Sequence, residues 1–306
     1  MRVAVAGLGA VTRYFAEELP AMGIDLVILT RSLKPDLENI KGVRQFVTDY
    51  SSVPSILEGI EGSVALVSNI LDYSPAFIDV HARLIEAATR SETCKRFIPA
   101  EYGGNLEAFP DQPMFYSRRQ GPVRKILEGQ TELEWTLLSP GWFADYIVPR
   151  RNRMLSNGGD AFPVNVTAKS MLIPGTGNEP VDLTPVRDIV RAVGKLLRAP
   201  RWERYTYFSG TKTTWNEIAA LMREKYPQMI VKHRSLAELI EDVVASPDPE
   251  SEKRLIAEYG IFSASHAGCL PADKVAAHRE KYFSGVKFRT PRELLAKVEK
   301  DPEVIV

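Results

Sequence analysis

The chain has 306 residues, of which 44% are apolar and 25% charged, an ordinary composition for a globular protein with one large domain or two coupled ones. Its 39 basic and 39 acidic residues give a formal net charge of zero without like-charged blocks, so we expect no nucleic-acid partner. The apolar N-terminus is too short to span a bilayer and lacks the regions of a signal peptide, so we expect a cytoplasmic protein without membrane contact.

The first half of the chain alternates buried apolar runs with amphipathic segments, which predicts a doubly wound parallel sheet with helices on both faces. The expected strands are residues 2–7, 25–31, 43–50, 63–70, 94–99 and 132–143, and the expected helices are 10–23, 51–60, 74–91 and 115–127.

The alternation becomes looser after about residue 150. Capped helical patterns dominate there, at residues 184–200, 213–227, 235–246 and 290–300, with a short strand at 204–210. We therefore expect an α/β domain over residues 1–150 and a smaller, mostly helical lobe over 151–306. Elements such as 206–209 are expected to return to the main sheet.

The two cysteines, Cys94 and Cys269, are far apart and have neither a CxxC partner nor the spacing of a zinc site. Both are expected to be reduced thiols, and no metal site is expected.

A glycine-rich loop, "GLGAVT", joins the first expected strand to the first helix. Gly7 permits a tight turn, and Gly9 lets the backbone approach a pyrophosphate at the helix N-terminus, beside Ala10 and Val11. Thr12 stands where Gly or Ala is usual. The order strand, loop, helix favours a dinucleotide site; the alternative is a turn that uses its glycines for packing.

The second strand ends in "ILTRS". An acidic residue at this position would bind a ribose 2′-hydroxyl, but Arg31 is found instead, flanked by Thr30 and Ser32. Because Arg pairs bidentately with phosphate, this favours NADP over NAD. The alternative is a solvated charge after a strand.

Two polar residues end the next strands. Asp49 closes the third strand, a usual place for adenine contacts, and Asn69 closes the fourth, which usually runs beside the nicotinamide ribose. A helix cap is an equal alternative for each.

The segments "VAVAGLGAV", "VILTRS", "RFIPAEYGGN", "LEWTLLSPGWFADY", "PVDLTPVRDIVRAV" and "TTWNEIA" occur in an order that resembles the NmrA-like and isoflavone-reductase-like proteins, atypical short-chain dehydrogenases, in their fungal form. The resemblance covers nearly the whole chain. It implies an NADP-binding Rossmann domain with a small C-terminal substrate lobe. Family members include ether and double-bond reductases, enzymes of secondary metabolism and redox-sensing regulators that bind the cofactor without consuming it.

The family pattern FIPSE(F/W)G is matched by "FIPAEYG", which places Glu101 and Tyr102 at the end of the fifth strand. Glu101 is a candidate acid–base, with a structural carboxylate as the alternative. Tyr102 is a candidate donor to the substrate, or an aromatic plug in its loop.

The reductases of this family carry a lysine at the start of the following helix, and the resemblance places Gln120 there, or Arg119 after a one-residue shift. Neither residue is a general acid or base at neutral pH, although either can hold the cofactor ribose. Tyr116 and Tyr102 are then the nearest proton donors in sequence.

The segment "SPGWFADY" matches the family segment that lines the substrate cleft. Trp142, Phe143 and Tyr146 suit an apolar or aromatic substrate, and the alternative places some of them in the core. His266 is a candidate acid–base in the same cleft, with a surface position as the alternative.

Together these residues predict an NADP-dependent oxidoreductase that reduces an imine, enone or carbonyl of a small apolar or heteroaromatic metabolite, in secondary metabolism. One alternative is an NADP-binding cyclase or isomerase that uses Glu101 or a tyrosine as acid–base. Another is a non-catalytic NADP sensor. The expected partner is the small-molecule substrate, and a homodimer is left open.

Overall fold

The computed structural model describes residues 1–306, which form two compact units with interleaved segments. The first unit comprises residues 1–101, 118–138 and 190–206, and the second comprises 102–117, 139–189 and 207–306. The chain therefore passes between the two units several times, whereas the sequence predicted one boundary near residue 150. Residues 190–206 return to the first unit, but the strand expected to join the main sheet, at 205–207, pairs with residues 137–139 in a separate two-stranded sheet.

The first unit contains a six-stranded parallel sheet in the order β3-β2-β1-β4-β5-β6. Its strands are β1 (Arg2–Ala6), β2 (Asp25–Thr30), β3 (Val43–Val47), β4 (Ala65–Ser68), β5 (Arg96–Ile98) and β6 (Glu134–Trp135). The strand order reverses between β1 and β4, which makes the carboxyl ends of these strands a ligand-binding position. The predicted Rossmann-type fold is confirmed.

Helices follow the strands because their apolar faces need the sheet for burial. They are α1 (Ala10–Ala21), α2 (Val53–Ile60), α3 (Ala76–Arg90) and α4 (Gln120–Glu128), and the chain later adds α5 (Val186–Leu196), which ends in the first unit. Helix α3 begins later than residue 74, the start that the sequence pattern predicted, since Pro75 is its N-cap.

The expected sixth strand is broken into three short pieces. After β6 the chain forms β7 (Leu137–Ser139), which pairs with β12 (Tyr205–Tyr207), and then β8 (Trp142–Phe143). Pro140 and Gly141 separate the last two pieces, and Gly141 has a φ of +69° that favours glycine.

The second unit holds two three-stranded sheets in the orders β14-β10-β9 and β13-β11-β8. Their further strands are β9 (Val164–Asn165), β10 (Ser170–Pro174), β11 (Pro180–Thr184), β13 (Thr211–Thr214) and β14 (Ile230–Arg234). Its helices are α6 (Trp215–Lys225), α7 (Leu236–Ala245), α8 (Glu252–Ser263), α9 (Ala272–Tyr282) and α10 (Pro291–Lys300). Capping boxes start α6 at Thr214, α7 at Ser235 and α10 at Thr290.

Helix α5 begins differently from the sequence expectation. The hydroxyl of Thr184, the expected cap, donates to the Pro140 carbonyl at 2.6 Å. Asp145 instead accepts the first helical N–H, from Val186, at 2.8 Å. A buried carboxylate from the 3₁₀ turn Ala144–Ile147 therefore satisfies this helix terminus, which no local sequence pattern shows. No helix of the chain combines the length and apolar character needed to cross a membrane.

Native-state alkylation is expected to modify Cys269 and to spare Cys94. Cys94 is fully buried, and burial raises the pKa of its thiol to about 12. Cys269 is only half-buried, so the reagent can reach its sulfur, which accepts a hydrogen bond from the Lys212 ammonium at 3.1 Å. Mass spectrometry after iodoacetamide treatment of the folded protein measures each site; equal modification of both would contradict this expectation.

Candidate functional site

A cavity of about 730 Å³ lies in the first unit beside the carboxyl ends of β1 to β4. Several residues predicted to bind a cofactor line it together: Gly7, Gly9, Thr30, Arg31, Ser32, Asp49 and Asn69. Further lining residues were not predicted from the sequence: Leu8, Lys34, Tyr50, Ile70, Leu71, Asp72, Ala76 and Val80. Ala10 and Val11 form the first turn of α1 and are not among the lining residues.

The two glycines of the loop have different surroundings. Gly7 has a φ of +91°, and an added Cβ would lie 2.8 Å from Cγ1 of Ile70. Gly9, the N-cap of α1, would meet no atom within 4 Å. The first glycine is therefore required by the fold, whereas the second leaves open space above a helix N-terminus, as an anionic ligand would need.

Thr12 occupies the third position of the loop motif, where Gly or Ala is usual, and its contacts explain this departure. Its side chain is buried, and its hydroxyl donates to the Gly7 carbonyl at 2.6 Å and accepts from the Asn69 amide at 3.1 Å. A threonine at this position thus ties the glycine loop to the end of β4, and it also orients Asn69 at the cavity.

Tyr50 lies beneath the glycine loop. Its hydroxyl donates to the Leu29 carbonyl at 2.5 Å and accepts from the Gly7 N–H at 2.8 Å. Burial raises the pKa of Tyr50 to about 12, so the hydroxyl keeps the proton that it donates. The residue has a φ of +63°, which is uncommon outside glycine and shows how strictly the surroundings fix it.

Asp49 forms a local turn at the edge of the cavity. Its carboxylate accepts from the N–H of Ser51 at 2.8 Å and from the hydroxyl of Ser51 at 2.6 Å, and these bonds lower its pKa. The helix cap that the sequence left open for Asp49 is wrong, since Ser52 is the N-cap of α2, and contact with an adenine stays a prediction.

One end of the cavity carries cationic groups on the loop after β2. Arg31 and Lys34 both line this end, with Ser32 between them. The Gln45 side chain accepts from the Lys34 N–H at 2.8 Å and donates to the Lys34 carbonyl at 2.9 Å, which fixes the loop. Two cations and a hydroxyl residue at one point suit a phosphate group.

Glu101 is 2% exposed and forms an ion pair with Arg124 of α4. The Arg124 Nε donates to Oε2 at 3.0 Å, and a terminal nitrogen donates to Oε1. Burial raises the pKa of Glu101, and the guanidinium opposes that rise. Since both carboxylate oxygens are engaged, this geometry favours the structural alternative over an acid–base role.

Gln120 is the first residue of α4. Its Oε1 is buried without a hydrogen-bond partner, and such an orphaned acceptor fits a ligand hydroxyl. The neighbouring Arg119 is 3% exposed, and its guanidinium lies 4.6 Å from the ring centroid of Tyr73.

The two candidate tyrosine donors belong to the second unit. Tyr102 packs edge-on against Phe143, with ring centroids 5.9 Å apart, and burial raises its pKa, so its hydroxyl stays protonated at neutral pH. Tyr116 is 7% exposed and lies in a 3₁₀ turn, where it packs against Phe115.

Trp142 stands at the centre of an aromatic cluster in the second unit. Its ring lies 5.6 to 6.0 Å from four others: Phe162, Trp215, Tyr259 and Phe262. Trp142 and Tyr146 also pack against the core of this unit, as the sequence alternative allowed, yet both remain half-buried. His266 is exposed in a 3₁₀ turn, which matches its surface alternative.

Comparison with known proteins found full-length relatives, although no family model matches the chain. Oxidoreductase swnR of Metarhizium robertsii is 47% identical over 310 residues, and oxidoreductase swnR of Arthroderma benhamiae is 44% identical over 309; each alignment covers 100% of both chains. An NmrA-like family domain-containing oxidoreductase of Gibberella moniliformis is 28% identical over 137 residues, which is 43% of this chain and 42% of the relative.

Solved structures share the fold at low sequence identity. AtPrR2 with NADP+ and (+)pinoresinol has a TM-score of 0.74 and 18% identity, covering 96% of this chain and 97% of its own. The ternary complex of leucoanthocyanidin reductase from Vitis vinifera also has a TM-score of 0.74 and 18% identity, covering 97% and 99%. These likenesses confirm the fold over nearly the whole chain.

Proposed function

The chain belongs to the NmrA-like and isoflavone-reductase-like family of atypical short-chain dehydrogenases, and from this premise we propose that it is an NADP-dependent oxidoreductase of small apolar or heteroaromatic metabolites. Relatives that match its full length are named oxidoreductases, and solved neighbours hold NADP+ or NADPH. The observation that carries the proposal is the glycine-lined cavity with two cations at one end.

The residues of the cavity fit each part of the cofactor. The open space above Gly9 would receive the pyrophosphate, and Arg31 with Lys34 would receive the 2′-phosphate. Asn69 of the cavity lining would bond to the nicotinamide-side ribose. Gln120 is not among the lining residues, but its orphaned Oε1 would accept from a hydroxyl of the same ribose. When bound, NADPH would supply a hydride.

Proton supply limits the substrates that this chain can reduce. Gln120 has no titratable proton, and both oxygens of Glu101 are engaged by Arg124. Tyr102 and Tyr116 are the remaining candidate donors, and burial raises the pKa of Tyr102. An imine that arrives as its protonated iminium needs a hydride alone, so we propose imines ahead of enones and carbonyl compounds, with a place in secondary metabolism.

A direct test incubates the protein with NADPH and a panel of cyclic imines, enones and carbonyl compounds, and follows the absorbance of reduced nicotinamide. Loss of that absorbance with stoichiometric product supports the redox proposal. Product formed without cofactor consumption would replace it with a cyclase or isomerase, the candidate that Gln120 in the place of lysine favours. NADPH binding without any turnover would instead favour a sensor.

Changing Arg31 to alanine should weaken NADPH binding by about 10- to 100-fold, because hydrogen bonds to a charged phosphate contribute about 1.5–3 kcal/mol. NADH affinity should change little, since NADH lacks the 2′-phosphate. Titration by tryptophan fluorescence measures both. Arg44→Ala is the matched control, because Arg44 is an exposed arginine of β3 and does not line the cavity. An equal loss of NADH affinity in Arg31→Ala would contradict the placement.

A further inference from the structure

A buried histidine lies behind one wall of the cavity. His81 of α3 is 0% exposed, and its Nε2 lies 2.9 Å from the hydroxyl of Ser68, the last residue of β4. Its Nδ1 lies 2.8 Å from the Phe77 carbonyl. The sequence shows only a helical histidine among apolar residues, without a sign of this partner.

The hydrogen-bond partners of His81 determine which of its two ring nitrogens carries the hydrogen. A carbonyl only accepts, so Nδ1 carries the proton, and the neutral ring then has a lone pair at Nε2. Ser68 must therefore donate to His81. Burial lowers the pKa of His81 to about 4, which keeps the ring neutral at physiological pH. The Ser68 oxygen remains free to accept from the Ile70 N–H, at 3.4 Å.

These hydrogen bonds join two walls of the same cavity. Asn69 and Ile70 line it from the turn after β4, whereas Ala76 and Val80 line it from α3. Ile70 also packs against Gly7, and Asn69 reaches Thr12. A displacement of Ser68 would thus move the turn of Asn69 and Ile70, which faces the glycine loop. The cationic end of the cavity, at Arg31, belongs to a different segment of the chain.

We propose that His81 is a positioning residue for the cofactor: through Ser68 it sets the turn of Asn69 and Ile70, which would contact the pyrophosphate and the nicotinamide-side ribose of NADPH. This inference rests on the proposed function. It assigns to a neutral buried imidazole a role in cofactor affinity, without contact with the cofactor and without proton transfer.

The test compares NADPH with adenosine 2′,5′-bisphosphate, a fragment that carries only the adenosine end. His81→Leu and Ser68→Ala should each bind NADPH about tenfold more weakly and bind the fragment as the wild type does. The double variant replaces both partners with apolar groups, so its stability should recover while its NADPH affinity stays low. His81→Gln can still accept from Ser68 and should restore most of the affinity.

Calorimetric titration measures the ligand affinity of the wild type and the four variants, and thermal unfolding measures their stability. The inference is overturned if a folded His81→Leu protein binds NADPH like the wild type, or if the fragment is weakened equally. It is also overturned if NADPH affinity recovers with stability in the double variant. Where the wild type binds neither ligand, the proposed function fails and takes this inference with it.

Discussion

Replacing Arg124 with methionine is expected to destabilise the protein by roughly 3–5 kcal/mol, because the change leaves the Glu101 carboxylate buried without its counter-charge. Glu101 is 2% exposed, and Arg124 engages both of its oxygens. Methionine keeps much of the apolar stem of arginine, so the loss reports the missing guanidinium more than missing volume. Urea unfolding followed by tryptophan fluorescence measures the change.

Two further variants separate burial from ion pairing as the cause. Arg292→Met removes an exposed arginine that pairs with Glu224, and it should barely change the unfolding midpoint, since exposed ion pairs contribute little. The double variant Glu101→Leu with Arg124→Met should recover most of the stability, because an apolar pair has no charge to desolvate. A double variant as unstable as Arg124→Met would refute this explanation.

The loss of stability in the Arg124→Met variant should also depend on pH. Burial raises the pKa of Glu101 above its ordinary value of 4.5, and the variant lacks the guanidinium that opposes this rise. The folded variant then binds a proton that the unfolded chain releases, so its stability falls as pH rises above the ordinary value. The stability difference from the wild type should therefore be smallest near pH 4.5 and grow toward neutral pH.

The order of elements in the first half could be predicted because it depends on local patterns. Continuous apolar runs such as "VAVA" before Gly7 fit strands buried on both faces, and glycine marks the turn that follows. The capped helices that begin at Ser235 and Thr290 were equally predictable, since each cap is a contact within three residues. The cap of α6 was narrowed to Thr213 or Thr214, and the structure places it at Thr214.

The second half depends on contacts between distant segments. The parallel pairing of β10 with β14 joins residues 170–174 to 230–234, and neither strand has a strong alternating pattern. The sixth expected strand was broken because Pro140 and Gly141 turn the chain toward a different sheet. Local propensity does not encode such choices of partner.

The residues of the candidate site also fall into two groups: those that local sequence patterns predict and those that depend on contacts between distant segments. Gly7, Gly9 and Arg31 follow strands at recognisable positions, so the sequence predicted that they lie together, and they line one cavity. Tyr50 and His81 act through hydrogen bonds across 43 and 13 positions of sequence. Tyr50 at the cavity wall and His81 behind it have no motif of their own, because their roles depend on what the fold places against them.

Replacing Gly7 with alanine is expected to destabilise the protein by roughly 2–5 kcal/mol, from an unfavourable backbone conformation and overpacking together. Gly7 has a φ of +91°, and the new methyl group would lie 2.8 Å from Ile70 Cγ1 and 3.2 Å from its backbone. A flexible side chain could turn away, but the backbone of Ile70 lies in the turn after β4, where the preceding N–H of Asn69 donates to the Ala6 carbonyl at 2.9 Å. The unfolding midpoint in urea measures this loss.

Gly9→Ala is the matched control, and it separates the two glycines of one motif. The backbone of Gly9 is extended, and a methyl group there meets no atom within 4 Å, so stability should stay within about 0.5 kcal/mol of the wild type. The methyl group would nevertheless occupy the space proposed for the pyrophosphate and should weaken NADPH binding by about 10- to 100-fold. A Gly9→Ala protein that binds NADPH normally would show that the cofactor does not approach this turn.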